Sequence, residues 1–552
     1  MDLAALVAAP RLATVRRAPL LFVLAAMAAC RGDAPSAAGA IGGTLIVATP
    51  GDADNLLPPV EATQLAAHIS KQIYPDLAEI TADLNTAGDS GFRPSLARSW
   101  EHRDSLTLAF HLDRRARWQD GPPITAADVA FTFAVYTDTL TASPFRVNLE
   151  PIATVEAENE STAVFRFRRS YGEQLYDAVY QMRILPKHLL DSIPRQRLAS
   201  SAFARAPVGA GPYHFVSWQP GSEITVEADT TWFLGRPALH RIVWRVMPDV
   251  SSAIEALLAG EADAIEAIPL KDDVERVRRD TTLRLIPYPS PFIGGLLFNL
   301  RRPLFQGRAM RRAITMAVDR ATVVAALFGA NGDVPTGAVS PMVWIAVQRD
   351  IRQMPFDTAQ AARTLDSLGW RLAPGRSVRS RAGVPLRFTA LVPTTSRTRQ
   401  QAAVLVQSQL QRVGVDMRIQ PLEIAVFGGR MNAGAFDVVF FSRTLDPSPS
   451  ELGQFWGSGA VGADNAGAYL SPAFDSLLAA AVAARTRADA LPRWRAVLER
   501  LNDDVPAIFL YSPRSNAAVH RRFAGVTIRP DSWLADVARW SVPRDRRLPR
   551  DR

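Results

Sequence analysis

A single cysteine, Cys30, occurs in 552 residues, which excludes a disulfide framework and a thiolate metal site in the body of the chain. Lysine is nearly as scarce: Lys71, Lys187 and Lys271 are the only three, so almost every cation is arginine. The arginines are scattered, and the formal charge of +9 reads as a composition bias rather than as a stripe that grips nucleic acid. No later apolar run free of charge approaches the roughly 20 residues that cross a bilayer. The histidines never pair at the helical spacing of metal ligands. There is no Gly-x-x-x-x-Gly-Lys-Ser/Thr loop, no convincing dinucleotide fingerprint after a strand and no Gly-x-Ser-x-Gly elbow. Acid pairs such as Asp503-Asp504 fall at a helix end, where a solvated role is expected. These absences leave no residue set that carries a reaction, so neither a catalytic residue nor a cofactor nor a bound metal is expected.

What is present begins at the amino end. Arg11, Arg16 and Arg17 precede the apolar run 18–29, which closes on Met27-Ala28-Ala29-Cys30. A basic segment, a short apolar core and small residues before a cleavage point form a secretory signal over 1–29. Cys30 then stands where a bacterial lipoprotein signal places its lipidated residue. Residues 30–42, small and polar, read as a flexible leash between anchor and body. The expected location is the periplasmic side of a bacterial cell membrane, tethered by lipid. The arginine-rich end, 544–552, reads as a disordered basic tail.

Between leash and tail, strand and helix patterns alternate. Residues 43–48 are a β-branched run after glycines, expected as a buried strand, and Leu106 to Leu112 alternates as a half-buried strand does. Thr125 stands where its hydroxyl accepts from the free amides opening a helix over 126–137. Further helices are expected over 251–259, 308–318, 359–368 and 398–413, several of them stopped by glycine, with a pair over 473–484 and 488–501. Phe436 to Phe441 is apolar throughout, as a strand buried on both faces would be. A hydrophobic content of 48% supports real cores, and the length calls for two or three α/β lobes.

The residues Leu96-Ala-Arg-Ser-Trp100, Phe110-His-Leu112, Trp118-Gln-Asp-Gly121, Thr125-Ala-Ala-Asp-Val129, Ile184-Leu-Pro-Lys-His-Leu189 and Pro207-Val-Gly-Ala-Gly-Pro-Tyr213 follow one another in a characteristic order. Phe298-Asn299, the segment Arg311 to Arg320, Tyr469-Leu-Ser-Pro-Ala-Phe-Asp475 and Tyr511-Ser-Pro-Arg514 continue it. In this the chain resembles the family 5 solute-binding proteins, the extracytoplasmic receptors of oligopeptide, dipeptide and nickel ABC importers. The resemblance implies a bilobal periplasmic-binding-protein clamshell of class II type, with an additional domain inserted in the N-terminal lobe. Lobe I would collect 43–75, 205–290 and 511–543; the insert would span 76–204 and lobe III 291–510. The lobe crossovers would lie near Gly294 to Asn299 and near Leu510 to Ser512. The implied function is reversible binding of a solute, by default an oligopeptide or dipeptide, and its delivery to an ABC permease and ATPase. The same clamshell could instead hold an oligosaccharide, a metal chelate or an opine-like metabolite, or serve as a ligand sensor. Nothing in the chain argues for self-association, so a monomer is expected.

Peptide-binding relatives place a carboxylate after the Phe-Asp-Val strand of lobe III to meet the ligand's amine. Counting forward from Phe436-Asp437-Val438 gives Asp446, whereas counting back from Asp446-Pro447 gives Arg443, and the sequence leaves both open. Asp446 would seek a cation, Arg443 an anion, and Asp446 would serve equally as a turn residue before proline. Trp456 is a candidate pocket wall. Phe298, Asn299 and Tyr469 occupy family-typical positions, and Thr395 and Ser396 precede a long helix that they would cap or whose amino end would favour an anion.

Overall fold

The computed structural model describes residues 42–268, 271–348 and 350–551. Cys30 and the signal segment lie outside the described residues. In the first lobe the strand Thr44–Thr49 pairs in parallel with Arg241–Val246 and with Ala264–Ile265, and the sheet continues antiparallel through Glu223–Ala228 to Tyr213–Gln219. Residues 97–167 carry a separate antiparallel sheet in the order Ala97–Asp104, Thr107–Leu112, Thr162–Phe167, Ile152–Asn159. The helix Ala126–Thr137 packs on this sheet. Its first turn is held by Asp128, whose carboxylate accepts from the Thr125 amide at 2.8 Å and from the Lys187 amide at 2.9 Å.

The second lobe is built on Phe292–Phe298, Val438–Thr444, Arg387–Pro393 and Asp416–Leu422. Its strand Val438–Thr444 alternates between two cores: Val438 and Phe440 pack on one face, Val439 and Phe441 on the other. That is the double burial expected of the apolar run. A further apolar cluster joins the first lobe to the inserted sheet. The structure is thus the two-lobed α/β clamshell that the sequence implies.

The lobes are connected through one long strand. Ala507–His520 pairs with Phe292–Phe298 through its first half and with Leu283–Pro289 through its second, so both lobes share it. Ser290 and Ser512 mark the crossing. The Ser290 hydroxyl donates to the Pro513 carbonyl at 2.7 Å and the Ser512 hydroxyl to the Phe292 carbonyl at 2.8 Å, both side chains being buried. These reciprocal bonds satisfy carbonyls where the two ladders diverge. Gly294 permits the crossing, because a Cβ there would lie 2.2 Å from the Tyr511 ring.

The carboxyl end differs from expectation. Residues 544–551 form two short turns rather than a disordered basic tail, and the Asp551 carboxylate accepts from the Thr44 amide at 2.8 Å. Asp551 also pairs with Arg522 at 2.5 Å, and Asp263 pairs with Arg522 at 2.9 Å and Arg550 at 2.7 Å. The run of arginines suggested a solvated segment, but the two acids within it change its fate. Asp551 supplies the anion that a buried guanidinium requires.

Candidate functional site

Two adjoining chambers open between the lobes. The first, about 430 Å³, is lined by Glu61, His68 and Arg183 from the first lobe and insert, and by Phe292, Thr444 and Asp446 from the second lobe. The second, about 470 Å³, lies between the insert and the second lobe and is lined by Tyr171, Glu173, Tyr176, Asp177, Asp446 and Glu451. Asn148, Gln181 and Asp446 line both.

Asp446 reaches this junction because the strand Val438–Thr444 stays in register with Phe292–Phe298 up to Thr444 opposite Phe292. The Leu445 amide then donates to Pro291 at 2.9 Å, and the chain turns through Asp446-Pro447. The turn is closed by Glu451, whose carboxylate accepts from the Asp446 amide at 2.9 Å. Among the described residues no donor reaches the Asp446 carboxylate, and burial raises its pKa above the ordinary carboxylate range. Burial, together with the neighbouring Asp446 charge, pushes Glu451 up to about 8.

The first chamber is also charged and only partly paired. Burial pushes Glu61 up to about 7 against the pull of Arg183, whose guanidinium is 3.6 Å away. Burial pushes Glu266 to about 7, and burial with the Arg183 and Lys71 charges depresses His68 to about 3, leaving a neutral imidazole 3.5 Å from Glu266. Glu61 Oε2, Arg183 Nε and Ser532 Oγ are buried there without a hydrogen-bond partner among the described residues. The native carboxyls of Glu61 and Glu266 hold protons more tightly than unfolded ones, whose ordinary value is 4.5. Their contribution to stability is therefore full below pH 4.5 and declines as the pH rises to about 7. Glu61→Gln is expected to flatten the fall of the unliganded melting midpoint across that window. An unchanged slope in a pH series of thermal melts would contradict the assignment.

The insert and second lobe touch along a seam beside the second chamber. Glu173, buried, accepts from Ser448 Oγ at 2.7 Å and also from the hydroxyls of Thr86 and Ser450. Thr86 in turn accepts from Trp344 Nε1 at 2.9 Å, the Gly172 amide donates to the Val482 carbonyl at 3.2 Å, and Arg487 pairs with Asp83 at 2.8 Å. Burial raises the Glu173 pKa while the three hydroxyls pull against it.

Of the residues singled out by sequence, Asp446 lines the chambers and the others lie elsewhere. Arg443 donates to the Asp464 carbonyl at 3.0 Å and lies 3.8 Å from the Phe455 ring centre; burial lowers its pKa to about 10. Trp456 packs edge-on against Phe509 at 5.5 Å, and Phe298 packs on Phe305 at 5.2 Å. The Asn299 amide donates to the carbonyls of Gly434 and Phe436 at 2.9 and 2.8 Å, and the Tyr469 hydroxyl donates to Asp504 at 2.7 Å. Ser396 caps the helix Arg397–Gln411, and Thr395 beside it is exposed. Sequence reasoning missed Glu61, Glu173, Tyr176, Asp177, Arg183 and Glu451. These converge from distant segments, and no local spacing marks them.

Two lobes sharing one crossing strand, with a partly unpaired polar cavity between them, define a protein that encloses a solute. The sequence profile of the bacterial extracellular solute-binding proteins, family 5 Middle, matches residues 91–463, and the chain belongs to that family. The oligopeptide-binding protein AppA of Bacillus subtilis (strain 168) is 25% identical over 535 residues, spanning 94% of this chain and 97% of that protein. Its structure in complex with a nonapeptide covers 91% of this chain and 99% of its own, at 24% identity and a TM-score of 0.73. The substrate-binding protein CtaP of Listeria monocytogenes has the same fold, with a TM-score of 0.79 at 21% identity over 91% of this chain and 100% of its own. NikZ of Campylobacter jejuni, in complex with Ni(L-His), also shares it, with a TM-score of 0.73 at 21% identity over 90% and 99% of the two chains. Among the described residues no helix is long and apolar enough to cross a membrane.

Proposed function

We propose that this protein is the receptor of an ABC importer, that it binds a peptide between its lobes without chemical change, and that it delivers the peptide to a membrane permease. The observation that carries the reading is the Asp446 carboxylate, unpaired at the junction of two chambers. A desolvated carboxylate requires a cation, and the free α-amine of a peptide supplies one with three donors. The strands Phe292–Phe298 and Val438–Thr444 end beside it, and Phe292 and Thr444 line the cavity into which the peptide main chain extends. The AppA relatives, named for oligopeptides and solved with a nonapeptide, support the same ligand class. In this reading the chain is exported, lipidated on Cys30 and held as a monomer on the periplasmic side of a bacterial cell membrane.

A thermal-shift screen of the body, residues 31–552, against peptide, oligosaccharide and metal-chelate libraries tests the assignment. A ligand present at 100 times its Kd adds about 2.7 kcal/mol to the folded state, a readable rise in midpoint. Peptide hits are expected. Silence toward peptides beside a response to another class would replace the ligand while leaving the receptor role.

A further inference from the structure

We propose that the chamber between the insert and the second lobe is a subsite for a guanidinium or ammonium side chain on the first residue of the bound peptide, with Glu451 as its main partner. The proposal rests on the peptide reading and extends it to the side chain that the protein selects. The chamber walls carry Glu173, Asp177, Asp446, Glu451 and Asp475 against one guanidinium, that of Arg169. Three of these carboxylates are already engaged: Glu173 by its three hydroxyls, Asp177 by the Tyr171 hydroxyl at 2.5 Å, and Asp475 by the Ser458 amide at 2.9 Å. Asp446 is not, and Glu451 is engaged on one oxygen alone. Glu451 accepts one bond on Oε2, from the Asp446 amide, and no donor among the described residues reaches its Oε1. The nearby Arg443 gives it no hydrogen bond, donating to the Asp464 carbonyl and lying over the Phe455 ring, and only its charge pulls on Glu451.

A second observation is independent of the acids. Tyr176 lines the same chamber, is 1% exposed, and its hydroxyl has no hydrogen-bond partner among the described residues. A buried phenol without a partner is costly unless a ligand atom completes it. Aromatic rings beside carboxylates suit a planar guanidinium, which takes bidentate bonds in its plane and stacks on its face. Because Asp446 lines both chambers, an α-amine bound there leaves the first side chain within reach of Glu451, while the main chain runs into the other chamber. Burial raises both Asp446 and Glu451, in keeping with carboxyls that a cationic group would stabilise.

The test titrates the protein with Arg-Ala-Ala and with citrulline-Ala-Ala, which differ by one charge at nearly equal shape. The arginine peptide is expected to bind at least about tenfold more tightly. Glu451→Gln is expected to bring the two affinities within about twofold of each other. Equal affinities in the wild-type protein would overturn the subsite, and so would a preference that survives Glu451→Gln. The wild-type comparison decides alone if the variant folds poorly. Agmatine, a guanidinium-bearing amine that is not a peptide, separates the two claims. Glu451-dependent binding of agmatine with no response to either peptide would remove the peptide reading and keep the cation subsite. No binding of any of the three would remove both.

Discussion

Gly172→Ala is expected to weaken ligand binding by about 10- to 100-fold while changing the melting of the unliganded protein far less. A Cβ at this position would lie 1.9 Å from the Ala484 carbonyl oxygen and 3.4 Å from the Arg485 Cα, so the insert and the second lobe could not meet as they do. The obstruction falls on backbone, which cannot swing aside as a long side chain would. Gly172 has no left-handed backbone requirement, so the methyl group adds no strain within the insert itself. Its effect is confined to the seam, where Gly172 donates to Val482 and Glu173 joins Ser448 and Ser450. Closure contributes to affinity only in proportion to the closed population, and each tenfold fall in that population costs about 1.4 kcal/mol of binding. Small-angle scattering should find the variant more extended than the wild type under saturating ligand. Wild-type affinity in Gly172→Ala would show that binding does not require the seam.

Arg522→Ala is expected to cost about 3–5 kcal/mol of stability, read as a lower urea midpoint at an unchanged slope. Arg522 donates to Asp263 through Nε and Nη2 at 2.9 Å each, to Asp551 through Nη1 at 2.5 Å and to the Thr44 carbonyl at 2.7 Å. The Asp263 and Asp551 side chains are both fully buried, so removing the guanidinium leaves Asp551 without its cation and Asp263 with Arg550 alone. The loss would release the carboxyl end from the strand Thr44–Thr49 and loosen the edge of the first lobe's sheet. Arg546→Ala is the matched control: its pair with Asp545 spans 4.0 Å between exposed side chains, and a change within about 0.5 kcal/mol is expected. Equal effects from the two substitutions would contradict the account of the network.

The parts of this fold that local chemistry dictates are legible in the sequence. The helix expected over 126–137 is Ala126–Thr137, and those expected over 398–413 and 308–318 are Arg397–Gln411 and Arg308–Met316. Caps, glycine stops and a period of 3.6 residues act within a single segment, so one sequence suffices to read them. The long strand Ala507–His520 is harder to see, because Ser512-Pro513-Arg514-Ser515-Asn516 separates its apolar halves with residues typical of a turn. Its strand geometry is imposed by pairing with elements of both lobes. The site follows the same rule. Asp446 was reachable by counting from a strand, whereas Glu173 and Glu451 share a chamber only once the insert meets the second lobe. Trp456, a candidate wall by its chemistry, and Tyr469, a candidate by its place in a family motif, both pack as core residues, as large aromatics commonly do.

The central claim is that a peptide's free amine closes on Asp446. A calorimetric titration with one pentapeptide, as the free amine and as its N-acetyl derivative, tests it most directly. Acetylation removes the charge while preserving the rest of the ligand, and the account predicts a loss of at least about 100-fold in affinity, since a buried carboxylate would be left without its cation. In Asp446→Asn the same comparison should show a much smaller difference. Equal binding of the two peptides by the wild-type protein would contradict the claim.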